Sequence, residues 1–360
     1  MEQDAIKLQI RDWLSRSLPS NGARNVAGLP LAIGTDIGNV REENQDKAVI
    51  LRAQITANKF FLVGVLCDGM GGMDDGASCA ALAVASFISS CIKNRKLSLS
   101  DRLTEAVGSA NTDVHTEFKG SGGATLSAFI LDGEGNFHAI NVGDSRIYVT
   151  GNKELRQISI DDTIAGQLNR QDTPSHFDNK LLQYIGIGND LEPHLLEMPK
   201  LNSIQKVVIT SDGIHSLDID TLSSLTIQDI APLELSKRLL QVAKWCGGHD
   251  NSTVITLSDF PSILASYDNA RTGSVQLWDA YGDVQFIGIE KFPQNEPQSP
   301  KLLETPPCVE VSTNEISIEN AEKGEEEPIT KPNEKRKTKK GDGKKPSKSK
   351  PQLRIDFDEQ

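Results

Sequence analysis

The order of apolar runs predicts an α+β fold: two antiparallel β-sheets packed as a sandwich, flanked by pairs of α-helices, with a disordered C-terminal tail. Three observations carry this. Strand-like runs recur with turns between them. Helical stretches come as a pair and later singly, not after every strand, so the regular β-α-β alternation of a doubly wound parallel sheet is missing. Beyond about residue 290 the apolar pattern stops.

In chain order, Ile6, Ile10, Trp13, Leu14 and Leu18 fall near helical spacing, which predicts a capping or docking helix over residues 4–18. The turn-rich PSNGARNVAG that follows reads as a linker, closing a segment 1–29. Strand-like runs then begin: LAIGTDIG, DKAVILRAQI and KFFLVGVLCD. ASCAALAVASFISSCI is long, apolar and rich in small residues, as a helix packed on a flat surface should be. A second helix is expected from about Asp101 to Phe118, with Leu103, Ala106, Val107, Ala110, Val114 and Phe118 on one face and Ser100 as its N-cap. TLSAFIL, NFHAINV and SRIYVT are strands, the first two joined by the hairpin turn DGEGN. A polar, weakly patterned stretch follows, then VVIT, a helix over Pro232–Trp245 with proline in its first turn, and STVITL. The main domain therefore spans 30–260, and SVQLWDAYGDVQFIG, within 261–290, reads as one more hairpin. Residues 291–360 place an acidic stretch (ENAEKGEEE) before a lysine run without apolar partners. Such a segment buries too little surface to offset its ordering entropy, and its segregated charge suits contact with a protein partner or polyanion.

The chain has 360 residues, 37% of them hydrophobic, and a formal net charge of −12. That acidity argues against general nucleic-acid affinity, which a basic surface serves. The five cysteines, Cys67, Cys79, Cys91, Cys246 and Cys308, include no C-x-x-C pair, so they read as free buried thiols in a reducing compartment. With no signal-peptide pattern and no apolar run judged long enough to span a bilayer, the expectation is a cytoplasmic protein without a membrane partner.

Four short segments carry the chemistry: REENQD (Arg41–Asp46), CDGMGGMDDG (Cys67–Gly76), SDGIHS (Ser211–Ser216) and GGHDNST (Gly247–Thr253). Each sets an aspartate at the edge of an apolar strand. A strand end is rigid, so a carboxylate there is aimed, and an adjacent glycine lets a ligand or backbone carbonyl approach closely. Hard divalent cations select such oxygen ligands. A lone Asp-Gly is usually a turn, and Asp74 and Asp75 read as a solvated turn and helix start. Several strand-end aspartates in one chain are a stronger signal.

At these motifs the sequence resembles the metal-dependent protein serine/threonine phosphatases of the 2C type, in their bacterial form. TDIGNVREENQD, VLCDGMGGMDDG, GGATLSAFI, NVGDSRIYV, ITSDGIHSL and GGHDNSTVITL occur in the family's order across about residues 30–258. The resemblance implies roles by position. Asp68 would bridge two Mg²⁺ or Mn²⁺ ions, Gly69 would offer its carbonyl to one of them, and Asp212 and Asp250 would complete the direct carboxylate ligands. Asp46 would orient bound water behind the metals, Arg41 would grip the substrate phosphate with its planar fork, Asp144 would serve a weaker third ion, and Asn251 would support the loop of Asp250. It also implies hydrolysis of phosphoserine and phosphothreonine by a hydroxide bridging the two ions, phosphorylated proteins as substrates and a serine/threonine kinase as the opposing partner.

The sequence departs from the family in three places. Methionine stands at both Met70 and Met73, where relatives carry a histidine at one or the other. Ser216 replaces an aspartate of the third metal site, and His215 beside it reads as a partly exposed histidine. Residues 159–195, where relatives carry a variable flap, have their own sequence, with Tyr184 and Ile185 expected to pack beneath it. The missing histidine leaves a second reading open, a catalytically weak phosphoprotein-binding scaffold of the same fold. The lysine run alone supports a third, a phosphohydrolase of small molecules or nucleic acid.

Overall fold

The computed structural model describes residues 4–26, 28–56, 59–70, 75–151, 153–167, 180–266 and 274–287. Met73, Asp74, Cys308 and the expected disordered tail lie outside them.

The expected sandwich is present. One sheet is formed, in spatial order, by β1 (Asn21–Asn25), β2 (Leu31–Asp36), β11 (Ser252–Ser258), β10 (Lys206–Thr210), β7 (Arg146–Gly151) and β8 (Glu154–Gln157). The other runs β13 (Asp283–Ile287), β12 (Ser274–Trp278), β3 (Lys47–Thr56), β4 (Lys59–Cys67), β5 (Leu126–Asp132), β6 (Phe137–Val142) and β9 (His194–Leu196). Every named pairing is antiparallel. Side-chain alternation sorts the strands into layers. Ile50, Leu62, Ile147, Ile209 and Ile255 meet between the sheets, whereas Val49, Val63 and Val65 point outward to the helices.

α2 (Gly76–Lys93) and α3 (Leu99–Glu117) cover the second sheet, with Ala83, Phe87, Val107 and Val114 in that outer core. α5 (Ile219–Thr226) and α6 (Pro232–Trp245) cover the first through Leu222, Leu235 and Leu239 against Val208 and Val254. α1 (Ala5–Leu14) packs beside α2, and α4 (Ile164–Gln167) and α7 (Phe260–Ala265) are short. By length and composition α2 is apolar enough to cross a membrane, contrary to the sequence expectation, but most of it is buried inside this domain.

Three local expectations change. The linker before residue 29 contains β1, which pairs with β2 from Asn21↔Asp36 to Asn25↔Ala32 as an edge strand. Its polar face hides the pattern, because an edge needs only one partner. α3 starts two residues early: Ser98, not Ser100, caps it by accepting the Asp101 amide at 3.2 Å. α1 stops at Leu14, where Ser15 Oγ donates to Arg11 O. The expected extra hairpin is real and extends the second sheet: β12 pairs with β3, and Arg16 Nη2 reaches Asp279 at its tip at 2.6 Å. Cys67, Cys79 and Cys91 are buried free thiols, but Cys246 is exposed because it sits on the open end of α6.

A carboxylate cluster at the strand ends

The antiparallel register gathers aspartates from distant parts of the chain. Asp46 directly precedes β3 and Asp68 directly follows β4, its hairpin partner; Lys47 pairs with Cys67 beside them. Asp212 lies two residues past β10 and Asp250 two residues before β11, again neighbouring strands with Thr210 opposite Val254. Asp144 stands in the turn between β6 and β7.

Buried hydroxyls and amides fix the loops. Ser211 Oγ donates to Asp46 Oδ2 at 2.7 Å and accepts the Thr253 amide at 2.9 Å, linking both sides of the sandwich. Asn44 accepts the Asp46 amide and donates to Thr35 Oγ1 at 2.8 Å. Asn251 accepts the Gln45 amide at 2.9 Å and donates to the carbonyls of Ile37 and Glu43, both at 3.0 Å. It thus holds the loop of Arg41 and Asp46 as well as its own. The Asp68 amide donates to Thr125 Oγ1, which also contacts Ser145 Oγ at 2.7 Å, next to Asp144. Gly69 fits only as glycine: a β-carbon there would stand 2.2 Å from Gly76 O.

The carboxylates repel one another in a dry place. Burial first, then Asp46, Asp212, Asp144 and Asp250, push the Asp68 carboxyl well above its usual range. Burial, then Asp144, Asp250 and Asp46, raise Asp212 to about 7. Burial, then Asp161, raises Asp144 to about 6. Asp46 is raised too, again mainly by burial. Arg41 Nη2 donates to Asp250 Oδ2 at 2.6 Å, and that bond raises the guanidinium further.

These residues fit divalent cations. Asp46 Oδ1 and Asp212 Oδ1 are buried with no hydrogen-bond partner, a costly state that a cation relieves. All the donors are hard oxygens, and bringing like charges together destabilises the cluster unless a positive charge joins it. The cluster is open rather than a finished cage: among the described residues no three such side chains already stand at metal-holding spacing. Asp250 here gives Oδ2 to Arg41 and Oδ1 to the Asn251 amide.

The departures from the family pattern are also visible. Met70 is half-buried, its amide donating to Gly123 O at 3.1 Å. Ser216 is exposed and donates to Gly213 O. His215 is partly exposed as expected; burial of its ring, then Arg146, hold its pKa well below the usual histidine value, so it is neutral near pH 7. Ile185 is fully buried and exchanges backbone hydrogen bonds with Ala124, while Tyr184 is half-buried.

Sequence reading missed the groups around Asp144. Arg146 forms a forked pair with Asp161 at 2.7 and 2.9 Å. Asp162 is buried, accepts the Gly143 amide at 2.8 Å and pairs with His194 Nε2 at 2.7 Å. Adjacent aspartates in a polar stretch were the available signal. Ser211 was equally readable, since it stands directly before Asp212.

Comparison with known proteins places this geometry. Residues 34–244 match the family model described as Protein phosphatase 2C. The serine/threonine protein phosphatase PstP of Mycobacterium tuberculosis is 28% identical over 275 residues, 72% of this chain and 50% of that protein. The serine/threonine phosphatase stp of Listeria monocytogenes is 25% identical over 243 residues, 61% of this chain and 92% of that one. The crystal structure of the PPM Ser-Thr phosphatase MsPP from Mycobacterium smegmatis superposes with a TM-score of 0.52 at 26% identity, covering 65% of this chain and 99% of that one. The catalytic domain of PstP in complex with two manganese ions gives 0.51 at 25% identity, covering 66% and 97%. The chain spans about half the length of PstP. With the family's motifs in order, its two-sheet sandwich and a carboxylate at each expected strand end, this chain belongs to the protein phosphatase 2C family.

Proposed function

We propose that this chain is a metal-dependent protein serine/threonine phosphatase acting on phosphorylated proteins and opposing a serine/threonine kinase in the cytoplasm. The observation that carries the reading is the cluster of Asp46, Asp68, Asp144, Asp212 and Asp250, mutually repelling and partly unpartnered, beside the exposed Arg41. Asp68, the Gly69 carbonyl, Asp212 and Asp250 would hold two Mg²⁺ or Mn²⁺ ions, with Asp144 serving a weaker third. When bound, such ions supply an activated water and neutralise charge on the phosphoryl group. Arg41, now bonded to Asp250, would turn to the phosphate with its planar fork, and Asp46, held by Ser211, would orient bound water. No histidine stands at Met70, and neutral His215 is a poor acid, so the leaving alkoxide would draw its proton from a bound water or leave without general acid help. General acid help is worth about 10²–10⁴-fold, so a modest rate is expected.

The relatives support this reading by name, as serine/threonine phosphatases, and one by its two manganese ions. The test is Mn²⁺-dependent hydrolysis of an aryl phosphate and a phosphothreonine peptide by the wild type and Asp212→Asn. Turnover that needs Mn²⁺ and falls by on the order of 10³-fold in the variant supports the enzyme. No turnover in the wild type, with phosphopeptide binding intact, sinks it in favour of a binding scaffold.

A further inference from the structure

Arg41 shares its turn with residues that the phosphate chemistry leaves unused. The turn 37–41 lies along the turn 244–250. Asn39 Nδ2 donates to Lys244 O at 2.9 Å and Gly247 O at 3.0 Å, and the Asn39 amide donates to Gly248 O at 2.7 Å. Two large apolar side chains ride on these turns and face water: Val40 at 62% exposure and Trp245 at 87%, the highest of any large apolar residue described. α6 already fills its core face with Leu235, Leu239, Leu240 and Ala243, so the core does not use the indole. Directly after Arg41, Glu42 and Glu43 are exposed and form no ion pair among the described residues.

Resting on the phosphatase reading, we propose that Val40, Trp245, Glu42 and Glu43 form a docking rim that selects phosphoserine or phosphothreonine segments carrying arginine or lysine near the phosphate. Charge complementarity argues for this occupant. The phosphate takes Arg41 from Asp250. A basic neighbour then finds two exposed glutamates that form no ion pair within 4 Å among the described residues, and an exposed indole, whose face binds a guanidinium or ammonium. An acidic neighbour would meet those glutamates and a chain of net charge −12. Tryptophan on an exposed rim is also the residue type that most often anchors a partner. The bonded path from Trp245 through Lys244 O and Asn39 to Arg41 limits their α-carbons to about 17 Å, so the basic residue stands within about five positions of the phosphorylated one.

The experiment compares arginine-flanked and glutamate-flanked phosphothreonine peptides and an aryl phosphate, for wild type, Trp245→Ala, Trp245→Phe and Glu42→Gln/Glu43→Gln. Peptide binding is measured in parallel by calorimetry in an Asp212→Asn background. The rim predicts that Trp245→Ala raises KM for the arginine-flanked peptide about tenfold, with kcat and aryl phosphate turnover unchanged and partial rescue in Trp245→Phe. The double glutamine variant should narrow the gap between the two peptides. Unchanged KM in Trp245→Ala, or equal loss on the aryl phosphate, overturns the rim while leaving the phosphatase reading intact. Turnover of no substrate by the wild type instead sinks that reading, and the binding titration then decides the rim: weaker binding of the arginine-flanked peptide in Trp245→Ala supports it, and equal binding overturns it.

Discussion

Asp46 and Asp144 belong to one carboxylate cluster, yet different chemistry holds them. Around Asp46 the ties are neutral and buried: Ser211 and Asn44 bond it directly, and Thr253 and Thr35 sit behind them. Around Asp144 the buried Thr125–Ser145 hydroxyl contact is joined by the Arg146–Asp161 ion pair, and His194 bonds the buried Asp162, with the Arg146 and His194 side chains 30% and 33% exposed. Buried hydrogen bonds are screened little by salt, whereas an ion pair whose side chain reaches solvent is screened more. The Asp46 side is built as a fixed frame. The Asp144 side leans in part on the Arg146–Asp161 ion pair.

The largest expected effect concerns the whole cluster without metal. Asp212 at about 7 and Asp144 at about 6 sit above the unfolded carboxylate value, with burial as the main cause in each. A raised folded pKa means that the stability these groups contribute is present at low pH and lost as pH climbs through the folded values. With chelator present, the melting temperature should therefore fall between about pH 5 and pH 7.5, and Mn²⁺ should remove that fall by satisfying the charges. A flat or rising chelated curve would break the electrostatic account.

The smaller effect separates the two sides directly. Ser211→Ala leaves Asp46 Oδ2 and the Thr253 amide without their partner in a fully buried position, which should cost about 1–3 kcal/mol at any salt concentration. Asp161→Asn loosens the Arg146 pair and should cost about 1 kcal/mol or less, a difference that largely disappears at about 1 M salt. Chemical denaturation of both variants in low and high salt checks this. Equal salt dependence would erase the contrast between frame and rim.

Much of this was legible in the sequence, for physical reasons. The continuous apolar runs of β3, β4, β10 and β11 report burial on both faces, and strand-end aspartates beside glycine stand out against them. Pro232 and Trp245 bounded α6 as expected, since proline in a first turn is a local signal. What escaped depends on long-range partners. β1 is polar and exists through pairing with β2. Ser98 rather than Ser100 caps α3, a choice between equivalent serines that only chain entry geometry makes. The exposure of Cys246 follows from where α6 ends, and the His194 pairing with Asp162 joins residues 32 positions apart. The roles of the aspartates came from the resemblance to a family, because spacing alone does not distinguish a bridging ligand from one behind the metals.

The central claim is that strand ends far apart in sequence build one divalent-cation site. Calorimetric titration of Mn²⁺ into the wild type and Asp68→Asn tests it most directly. The account predicts two ions bound by the wild type and loss of at least one, with affinity for the other weakened about 10-fold or more, when the Asp68 carboxylate is neutralised. Equal stoichiometry and affinity in the two proteins would contradict it.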